Sequence, residues 1–354
     1  MIFVLAAILI FGVLIAVHEL GHFLAAKACG VPVHEFAIGM GPTLWKKETE
    51  ETKYSLRILP VGGFCAMEGE EEESDNPRAL NNQNFWKKLL IYAAGAAMNF
   101  LTGLLILVVL FAGAKAFYTA EITEIAEGSS LAVPGGLQVG DLLLSIDGEK
   151  VYHRGNVTML LDFNTDGTYD FVVRRGGEKV TIRDLKLERK EFPDGNGGTY
   201  VGLGFTMGGV EEANFFGRLR YSWLSAMDFV RMVRLSLEML FTGQAGVSDL
   251  SGPVGIVNTM TEVGQQSETV RDAVGNIAYL AALIAVNLAV MNLLPIPALD
   301  GGKIFFLLIN QLSLLLFKKQ IPAKFENYIH VAGFILLMGL MAFVMFQDVW
   351  KLFR

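Results

Sequence analysis

The chain has 354 residues, a formal net charge of −7, and a composition that is 52% hydrophobic and only 18% charged. These values exclude an ordinary soluble domain, in which about a quarter of the residues are charged, and we expect no nucleic-acid partner. The length alone allows two or three structural units.

Four long apolar stretches account for the hydrophobic composition. They cover residues 1–26, 89–114, 275–299 and 329–346. Each is near or above the roughly 20 apolar residues that a helix needs to cross the hydrocarbon core of a bilayer. The sequence therefore predicts a polytopic α-helical membrane protein with four transmembrane helices. The first stretch lacks a basic start and a small-residue cleavage site, so we expect a retained span rather than a signal peptide.

The first stretch contains the motif "HELGH", residues 18–22, inside its apolar pattern. His18 and His22 lie four residues apart, so a helix presents both imidazoles on one face, where they can bind a single zinc ion. Glu19 lies beside the first histidine and can take a proton from zinc-bound water. A buried polar contact between helices is the alternative. Ionisable side chains at membrane depth are rare and usually functional, so we favour metal chemistry.

Residues 31–64, after the first span, alternate like β-strands interrupted by glycines. Two interpretations stay open. The segment is either a small cytoplasmic hairpin, or a hairpin that dips to the metal site and binds an extended peptide along an exposed strand edge. On the second interpretation Ile58 supplies a main-chain donor of that edge, and Ile58→Pro should slow the cleavage of a transmembrane peptide.

Region 119–206 contains short β-like runs, and "GGLQVGDLLLSIDGEKV", residues 135–151, resembles the PDZ signature. A PDZ domain binds extended chain ends by strand addition, but a size filter for substrates is an equal alternative here. Residues 214–241 mix aromatic residues with arginines, which indicates a helix on the membrane surface or one packed on the outer domain. "SGPVGIV", residues 251–257, contains turn residues but reveals no role.

The third apolar stretch ends in "NLLPIPALDGG", residues 292–302. Pro295 and Pro297 interrupt helical hydrogen bonding just before Asp300, and irregular backbone at membrane depth is tolerated where it lines a wet cavity. Catalytic zinc needs three protein ligands and one open position. We expect Asp300 to be the third ligand, because this carboxylate and an ionised Glu19 together neutralise a divalent ion. An interfacial acid at a helix end is the alternative.

Other polar residues receive weaker predictions. His34, His153 and His330 are expected to be ordinary surface or interfacial histidines rather than ligands. Asn292 lies eight residues before Asp300. It either cross-links helices or donates a hydrogen bond to the substrate backbone or oxyanion beside the metal.

The motifs, in this order, resemble the bacterial site-2 protease family of intramembrane zinc metalloproteases, of the regulator-of-sigma-E protease type. The resemblance covers nearly the whole chain and includes "HELGHF", "IGMGPTLW", "LPVGGF", "AGAAMNF", "SGPVGI" and "NLLPIPALDGG". It implies that His18, His22 and Asp300 bind zinc. It also implies that Glu19 is the general base and that Asn292 contacts the substrate.

The resemblance has further implications and three departures. Gly39 and Gly41 lie in a stretch for which it implies substrate contact, although this stretch reads Gly39-Met40-Gly41 instead of the GFG-like pattern. The chain has room for one PDZ domain, whereas some relatives have two. Ala96 follows Gly95 where the family often has proline, so that turn is expected to differ. The implied activity is cleavage of transmembrane segments in single-pass membrane proteins that are already trimmed outside, such as anti-sigma factors or signal-peptide remnants.

Two alternatives belong to other classes. A membrane zinc protease of the type that cuts prenylated or misfolded proteins needs a ligand glutamate on a further helix, and no obvious motif supplies one. A non-proteolytic PDZ-bearing membrane scaffold, or a metal transporter, is the non-enzymatic alternative. A transporter would have acidic or histidine residues on several spans, and the second and fourth apolar stretches contain almost none.

The predicted organisation follows from the spans. In chain order it comprises transmembrane helix 1 with HExxH (1–28), a cytoplasmic or re-entrant β-hairpin loop region (29–88), transmembrane helix 2 (89–114), an extracytoplasmic PDZ domain (115–210), a membrane-surface amphipathic helix and linker (211–274), transmembrane helix 3 with LDGG and its cytoplasmic extension (275–317), a cytoplasmic loop (318–328) and transmembrane helix 4 (329–350). Lysines and arginines near the spans favour this orientation. We expect a multi-pass protein of the bacterial cytoplasmic (inner) membrane, with the lipid bilayer, substrates and a peptide ligand of the PDZ domain as partners.

Overall fold

The structure is a computed structural model that describes residues 2–70, 72–131, 133, 135–164, 166–193, 198–246, 250–319 and 321–352. The chain divides into two compact units, residues 1–110 with 229–354, and residues 111–228. The helices are α1 (Ile2–Cys29), α2 (Phe85–Phe111), α3 (Arg154–Phe163), α4 (Phe215–Thr242), α5 (Pro253–Gln266), α6 (Val270–Asn292), α7 (Asp300–Phe317) and α8 (Ala323–Leu352). The strands are β1 (Val33–Glu48), β2 (Lys53–Met67), β3 (Ala116–Tyr118), β4 (Ile122–Ile125), β5 (Leu142–Ile146), β6 (Glu149–Lys150), β7 (Thr168–Arg175), β8 (Glu178–Lys186), β9 (Lys190–Pro193), β10 (Thr199–Gly202), β11 (Phe205–Met207) and β12 (Val210–Glu212).

Within the described residues, five helices are long and apolar enough to cross a membrane by length and composition: α1, α2, α6, α7 and most of α8. The chain is therefore a polytopic helical membrane protein that also contains β-structure. The sequence predicts four spans, and the additional candidate is α7, which lies inside the predicted third span and its extension. Helix α6 ends at Asn292 and α7 begins at Asp300, because Pro295 and Pro297 cannot continue a helical hydrogen-bond ladder.

Helix α5 packs against α1 and α6 in the first unit. A buried apolar cluster joins α1, α5 and α6, and its members are Ala7, Leu14, Met260, Ile284 and Ala285. Ile256 and Val257 pack against the same cluster, so one face of α5 is apolar at helical spacing. The segment 211–274, which the sequence predicts as a surface helix and linker, therefore includes a further packed helix.

The N-terminus of α5 explains the "SGPVGIV" segment. The buried Asp348 carboxylate of α8 accepts hydrogen bonds from the backbone N–H groups of Gly252, at 2.9 Å, and Gly255, at 2.8 Å. A Cβ at Gly252 would lie 2.9 Å from Asp348 Oδ2, so only glycine allows this approach. Pro253 occupies the first helical position, where no N–H is needed. The segment thus ties α5 to α8.

Strands β1 and β2 form a curled hairpin rather than a flat two-stranded ladder. Residues 33–38 pair with residues 63–67 on one side, and the same part of β1 pairs with residues 53–56 on its other side. Residues 45–48 also pair with 53–56. Among the described strands, residues 63–67 therefore form an outer edge of this sheet, and we call them the edge segment.

Apolar side chains attach the hairpin to α1 and α2. The buried cluster consists of Ala25, Ala26, Val31, Val33, Phe36, Cys65, Met67, Leu80 and Ile91. Side chains alternate across a strand, so Cys65 and Met67 face this cluster, whereas Phe64 and Ala66 remain partly exposed. The packing fixes the position of the edge segment relative to α1.

The second unit is built from antiparallel strands. A four-stranded sheet has the order β6-β5-β7-β8, and three pairs are formed by β9 with β10, β4 with β11, and β3 with β12. Helix α3 lies between β6 and β7 in the chain, and Tyr169 O–H donates to Leu161 O at 2.8 Å. The buried Asp141 carboxylate accepts two hydrogen bonds from the Arg175 guanidinium at 2.6 and 2.7 Å. The predicted outer domain, 115–210, falls in this β-rich unit, and its PDZ identity stays a prediction.

Helix α4 covers the segment 214–241, which the sequence predicts as an amphipathic helix. Phe215, Phe216 and Phe241 are 66%, 78% and 84% exposed, whereas Ser222 and Ser225 are buried. Exposed aromatic side chains are typical of a helix at a membrane surface.

Candidate active site

Three polar side chains converge from the two helical motifs of the first unit. Asp300 Oδ2 lies 3.1 Å from His18 Nε2 and 3.2 Å from His22 Nε2. The two histidine Nε2 atoms are 3.2 Å apart, and the ligand atoms of all three residues lie within 4.8 Å of one another. The structure thus brings together the residues that the sequence predicts as ligands from opposite ends of the chain.

The chemistry of these three groups fits a zinc ion. His22 Nδ1 lies 2.8 Å from Ile91 O; because a carbonyl only accepts, Nδ1 is the protonated nitrogen and Nε2 has a free lone pair. Two imidazole nitrogens and one carboxylate oxygen are a common donor set for catalytic zinc. His18, His22 and Asp300 could therefore hold a divalent metal.

Gly95 of α2 leaves room for the two imidazole rings. A Cβ at this position would overlap His22 Nε2 and lie 2.7 Å from His18 Cε1. The two imidazoles therefore contact the backbone of α2 directly. Ala96, where the resemblance leads one to expect a different turn, lies in the unbroken helix α2. The helix thus presents a bare backbone surface to the histidines.

The position of Asp300 is determined by the short loop 293–299 and the first turn of α7. Ala298 has φ of 75°, which is the left-handed region that residues other than glycine seldom adopt. A Cβ at Gly302 would lie 3.0 Å from the Ile296 carbonyl carbon, so the loop folds tightly onto this turn. As the first residue of a helix, Asp300 also lies where the helix dipole favours negative charge.

A cavity of about 750 Å³ opens beside the three converging groups. Its lining includes both histidines, Glu19, Asp300 and Asn292, with Phe64–Met67 from the hairpin. Two side chains predicted to assist the chemistry, Glu19 and Asn292, therefore face the same space as the candidate ligands. The volume is in the range of pockets that enclose drug-sized ligands.

The hairpin reaches this cavity through its edge segment. A Cβ built at Gly63 would lie 3.5 Å from Glu19 Cγ. Gly39, Gly41 and Ile58 are not among the described residues that line the cavity; Gly39 instead packs its backbone against Leu59 O. The structure brings the hairpin to the site, but at residues 63–67 rather than at the three positions predicted to contact substrate.

An ion pair between Lys303 and Glu70 lies in the wall of the cavity. Lys303 Nζ of α7 lies 2.6 Å from Glu70 Oε1 and 5.6 Å from the centre of the Tyr92 ring. Among the described lining residues Lys303 is the only lysine or arginine, beside several glutamates. The pair attaches the acidic segment after β2 to the helix that begins with Asp300. The sequence offered no signal for this contact.

A second charged group stabilises the hairpin itself. The Glu35 carboxylate accepts hydrogen bonds from Ser55 at 2.7 Å, Arg57 at 2.8 Å and Lys53 at 3.1 Å. Partial burial of Glu35 raises its pKa, but these hydrogen bonds have the larger combined effect and lower the pKa from 4.5 to about 2. Glu35 therefore stays ionised and joins the pairing segments of β1 and β2.

The remaining histidines differ in their surroundings. His34 is exposed and lines the cavity. His153 is buried in the second unit, so the prediction of a surface or interfacial residue is wrong for it, because it precedes α3 and packs near the Tyr221 ring. His330 of α8 accepts a hydrogen bond from the Ala298 N–H at 3.0 Å, a long-range contact that residue type alone does not reveal.

Comparisons with known proteins agree with the geometry. A family model described as Peptidase family M50 matches residues 6–340. A Clostridium perfringens protein named as a zinc metalloprotease is 35% identical over 348 residues, which cover 98% of each chain. The chain is also similar to the regulator of sigma-W protease RasP of Bacillus subtilis, at 29% identity over 99% of each chain. The chloroplastic membrane metalloprotease ARASP of Arabidopsis thaliana is 32% identical, over 99% of this chain and 79% of its own length.

Proposed function

Because the chain belongs to peptidase family M50, we propose that it cleaves transmembrane segments of membrane proteins within the bilayer. The family and its named relatives make the chain a zinc metalloprotease of the membrane, and the resemblance to site-2 proteases is confirmed. The convergence of His18, His22 and Asp300 on apolar helices is the observation that most supports an intramembrane site.

We assign the zinc ligands to His18 Nε2, His22 Nε2 and one Asp300 carboxylate oxygen. A zinc ion held by these groups would supply a Lewis acid for the scissile carbonyl and would lower the pKa of its bound water toward neutrality. Glu19 faces the same cavity, so its carboxylate can take a proton from that water and deliver it to the leaving amine. Asn292 can donate a hydrogen bond to the carbonyl oxygen of the substrate as negative charge develops on it.

The substrate must be extended before it reaches these groups. A helical peptide hides its carbonyls in hydrogen bonds, whereas a strand added to a free sheet edge is held extended by main-chain bonds. The edge segment suits this role, because residues 64–67 line the cavity and Gly63 lies beside Glu19. In this proposal Gly39, Gly41 and Ile58 shape the curl of the hairpin instead of contacting the substrate.

The finer assignments extend this proposal. We propose four spans, with α7 as a cytoplasmic extension, in a bacterial inner membrane, and an extracytoplasmic PDZ domain in residues 115–210 that binds chain ends or limits substrate size. Single-pass proteins already trimmed outside are the proposed substrates. The RasP relative is named as a regulator of a sigma factor, which favours membrane-bound anti-sigma proteins, with signal-peptide remnants as a further class.

Glu19→Gln tests the proposed chemistry. The full-length variant should retain one zinc per chain, because Glu19 is not among the three converging ligands. Its turnover of a single-pass membrane substrate should fall by roughly 100- to 10,000-fold, as expected for loss of a general base. The matched control is Glu73→Gln, a glutamate that also lines the cavity and should leave turnover unchanged. A Glu19→Gln protein with full activity would refute the assignment.

A further inference from the structure

Helix α8 contacts the loop that ends at Asp300. His330 Nδ1 accepts a hydrogen bond from the Ala298 N–H at 3.0 Å, two residues before the carboxylate. One turn further along α8, a Cβ added at Gly333 would overlap the Pro297 ring and lie 3.1 Å from Pro297 O. The two contacts place one face of α8 directly against the loop.

The loop needs such support. Its backbone is strained, because Ala298 has φ of 75°, and residues held in rarely populated conformations cost about 1–3 kcal/mol unless their surroundings impose them. Pro295 and Pro297 have no N–H, so they contribute no donors to a local network. The hydrogen bond from the Ala298 N–H to His330 therefore fixes the loop between Pro297 and the start of α7.

The surroundings of His330 suit a fixed acceptor. Its ring centre lies 5.3 Å from that of Phe306, and its side chain is 16% exposed. Because Nδ1 accepts from an N–H group, the proton of the neutral ring is on Nε2. Nε2 lies 3.9 Å from the Glu326 carboxylate, which is beyond hydrogen-bond distance, so the tautomer is set by the bond at Nδ1.

From these contacts we propose that His330 is a positioning residue for Asp300. It holds the Ala298 amide, which keeps the loop in its strained conformation and the carboxylate at the two histidines. The inference deepens the proposed function and rests on the assignment of Asp300 as a zinc ligand. Groups that orient metal ligands from behind typically change metal affinity by about 10- to 100-fold when they are removed.

Two substitutions separate the hydrogen bond from ring packing. His330→Phe keeps an aromatic ring against Phe306 but removes the acceptor. His330→Asn places an amide oxygen close to the position of Nδ1 and so keeps an acceptor without the ring. The control is Tyr328→Phe on the same helix, at a side chain that is 74% exposed.

Two readouts on the full chain in detergent test the proposal without relying on proteolysis. Zinc affinity is measured by competition with a chromogenic chelator. Hydrogen–deuterium exchange of the peptide spanning 293–303 is measured on zinc-free protein. We expect His330→Phe to bind zinc roughly tenfold more weakly and to exchange faster in this peptide. His330→Asn should stay within about threefold of the wild type, and Tyr328→Phe should match it.

Wild-type zinc affinity and wild-type exchange in His330→Phe would overturn the proposal. Equal losses in the phenylalanine and asparagine variants would also overturn it, because they would indicate that ring packing alone matters. If the phenylalanine variant does not fold, His330→Leu removes the same acceptor. An active Glu19→Gln protein would contradict the proposed chemistry but leave these affinity and exchange differences intact, so the two ideas fail separately.

Discussion

Gly95→Ala should weaken zinc binding at the site although residue 95 has no chemical role. The added methyl would overlap His22 Nε2 and lie 2.7 Å from His18 Cε1. Carbon atoms make favourable contacts at about 3.5 Å or more, so the His18 ring must move about 0.8 Å away from the added methyl. Metal–ligand distances tolerate only about 0.2 Å, and both imidazoles are displaced together. The substitution therefore acts on two of the three proposed ligands at once.

The expected loss of zinc affinity is roughly 100-fold, at the upper end of what indirect displacement of ligands costs, or about 2.8 kcal/mol. The free energy of unfolding should change less than the free energy of zinc binding. Overpacking costs about 1–3 kcal/mol, and replacing glycine by alanine inside a helix returns up to about 1 kcal/mol. Chelator competition on the full chain measures the affinity, and turnover of a membrane substrate should fall with it when zinc is limiting.

Gly339→Ala is the matched control, because it also lies inside a predicted span and a Cβ there has no neighbour within 4 Å among the described residues. It should bind zinc as the wild type does. If Gly95→Ala retains zinc with wild-type affinity, the ligating nitrogens do not face α2 as described. The assignment of His18 and His22 as a pair of ligands would then be wrong.

Two further predictions concern the hairpin and α5. The first uses a Glu19→Gln, Cys29→Ser background, in which Ala66→Cys should form a disulfide with a cysteine in a trapped substrate several-fold more than Ile58→Cys does. Equal disulfide yields would contradict the edge segment as the binding edge. The native Cys65 should react slowly, because burial raises the pKa of its thiol to about 12. In the second, Asp348→Ala should lower the free energy of unfolding by roughly 1.5–3 kcal/mol, because two N–H groups at the start of α5 lose a charged acceptor, and Asp348→Asn should lower it less. Thermal unfolding in detergent measures both variants. An unchanged midpoint in Asp348→Ala would show that this contact does not stabilise the protein.

Much of the helical framework and the three polar side chains that converge at the candidate site could be predicted, because both depend on local pattern. Apolar runs of sufficient length indicate spans, and a spacing of four residues places His18 and His22 on one helix face. The prolines at 295 and 297 predict the break before Asp300, and the two helices do end and begin around them. These signals need only neighbouring residues and a general rule.

Other features depend on contacts between distant segments, for which one sequence contains no local signal. The curled pairing of β1 with two parts of β2 decides that residues 64–67, and not Ile58, border the cavity. The same limit applies to the bond between Asp348 and the start of α5. His330 is the clearest example, because its proposed role depends on the distant Ala298 amide and not on its own residue type.

Two of the three proposed metal-ligating side chains, His22 and Asp300, are held by backbone groups, and this explains where substitutions should be harmful. Ile91 O orients His22, and the strained backbone at Ala298 sets Asp300. A backbone atom cannot be deleted by exchanging a side chain. It can be moved by adding volume where two backbones meet, as at Gly95, or by removing the side chain that fixes it, as at His330. Positions without catalytic chemistry should therefore control zinc affinity, whereas Glu19, the proposed general base, should not.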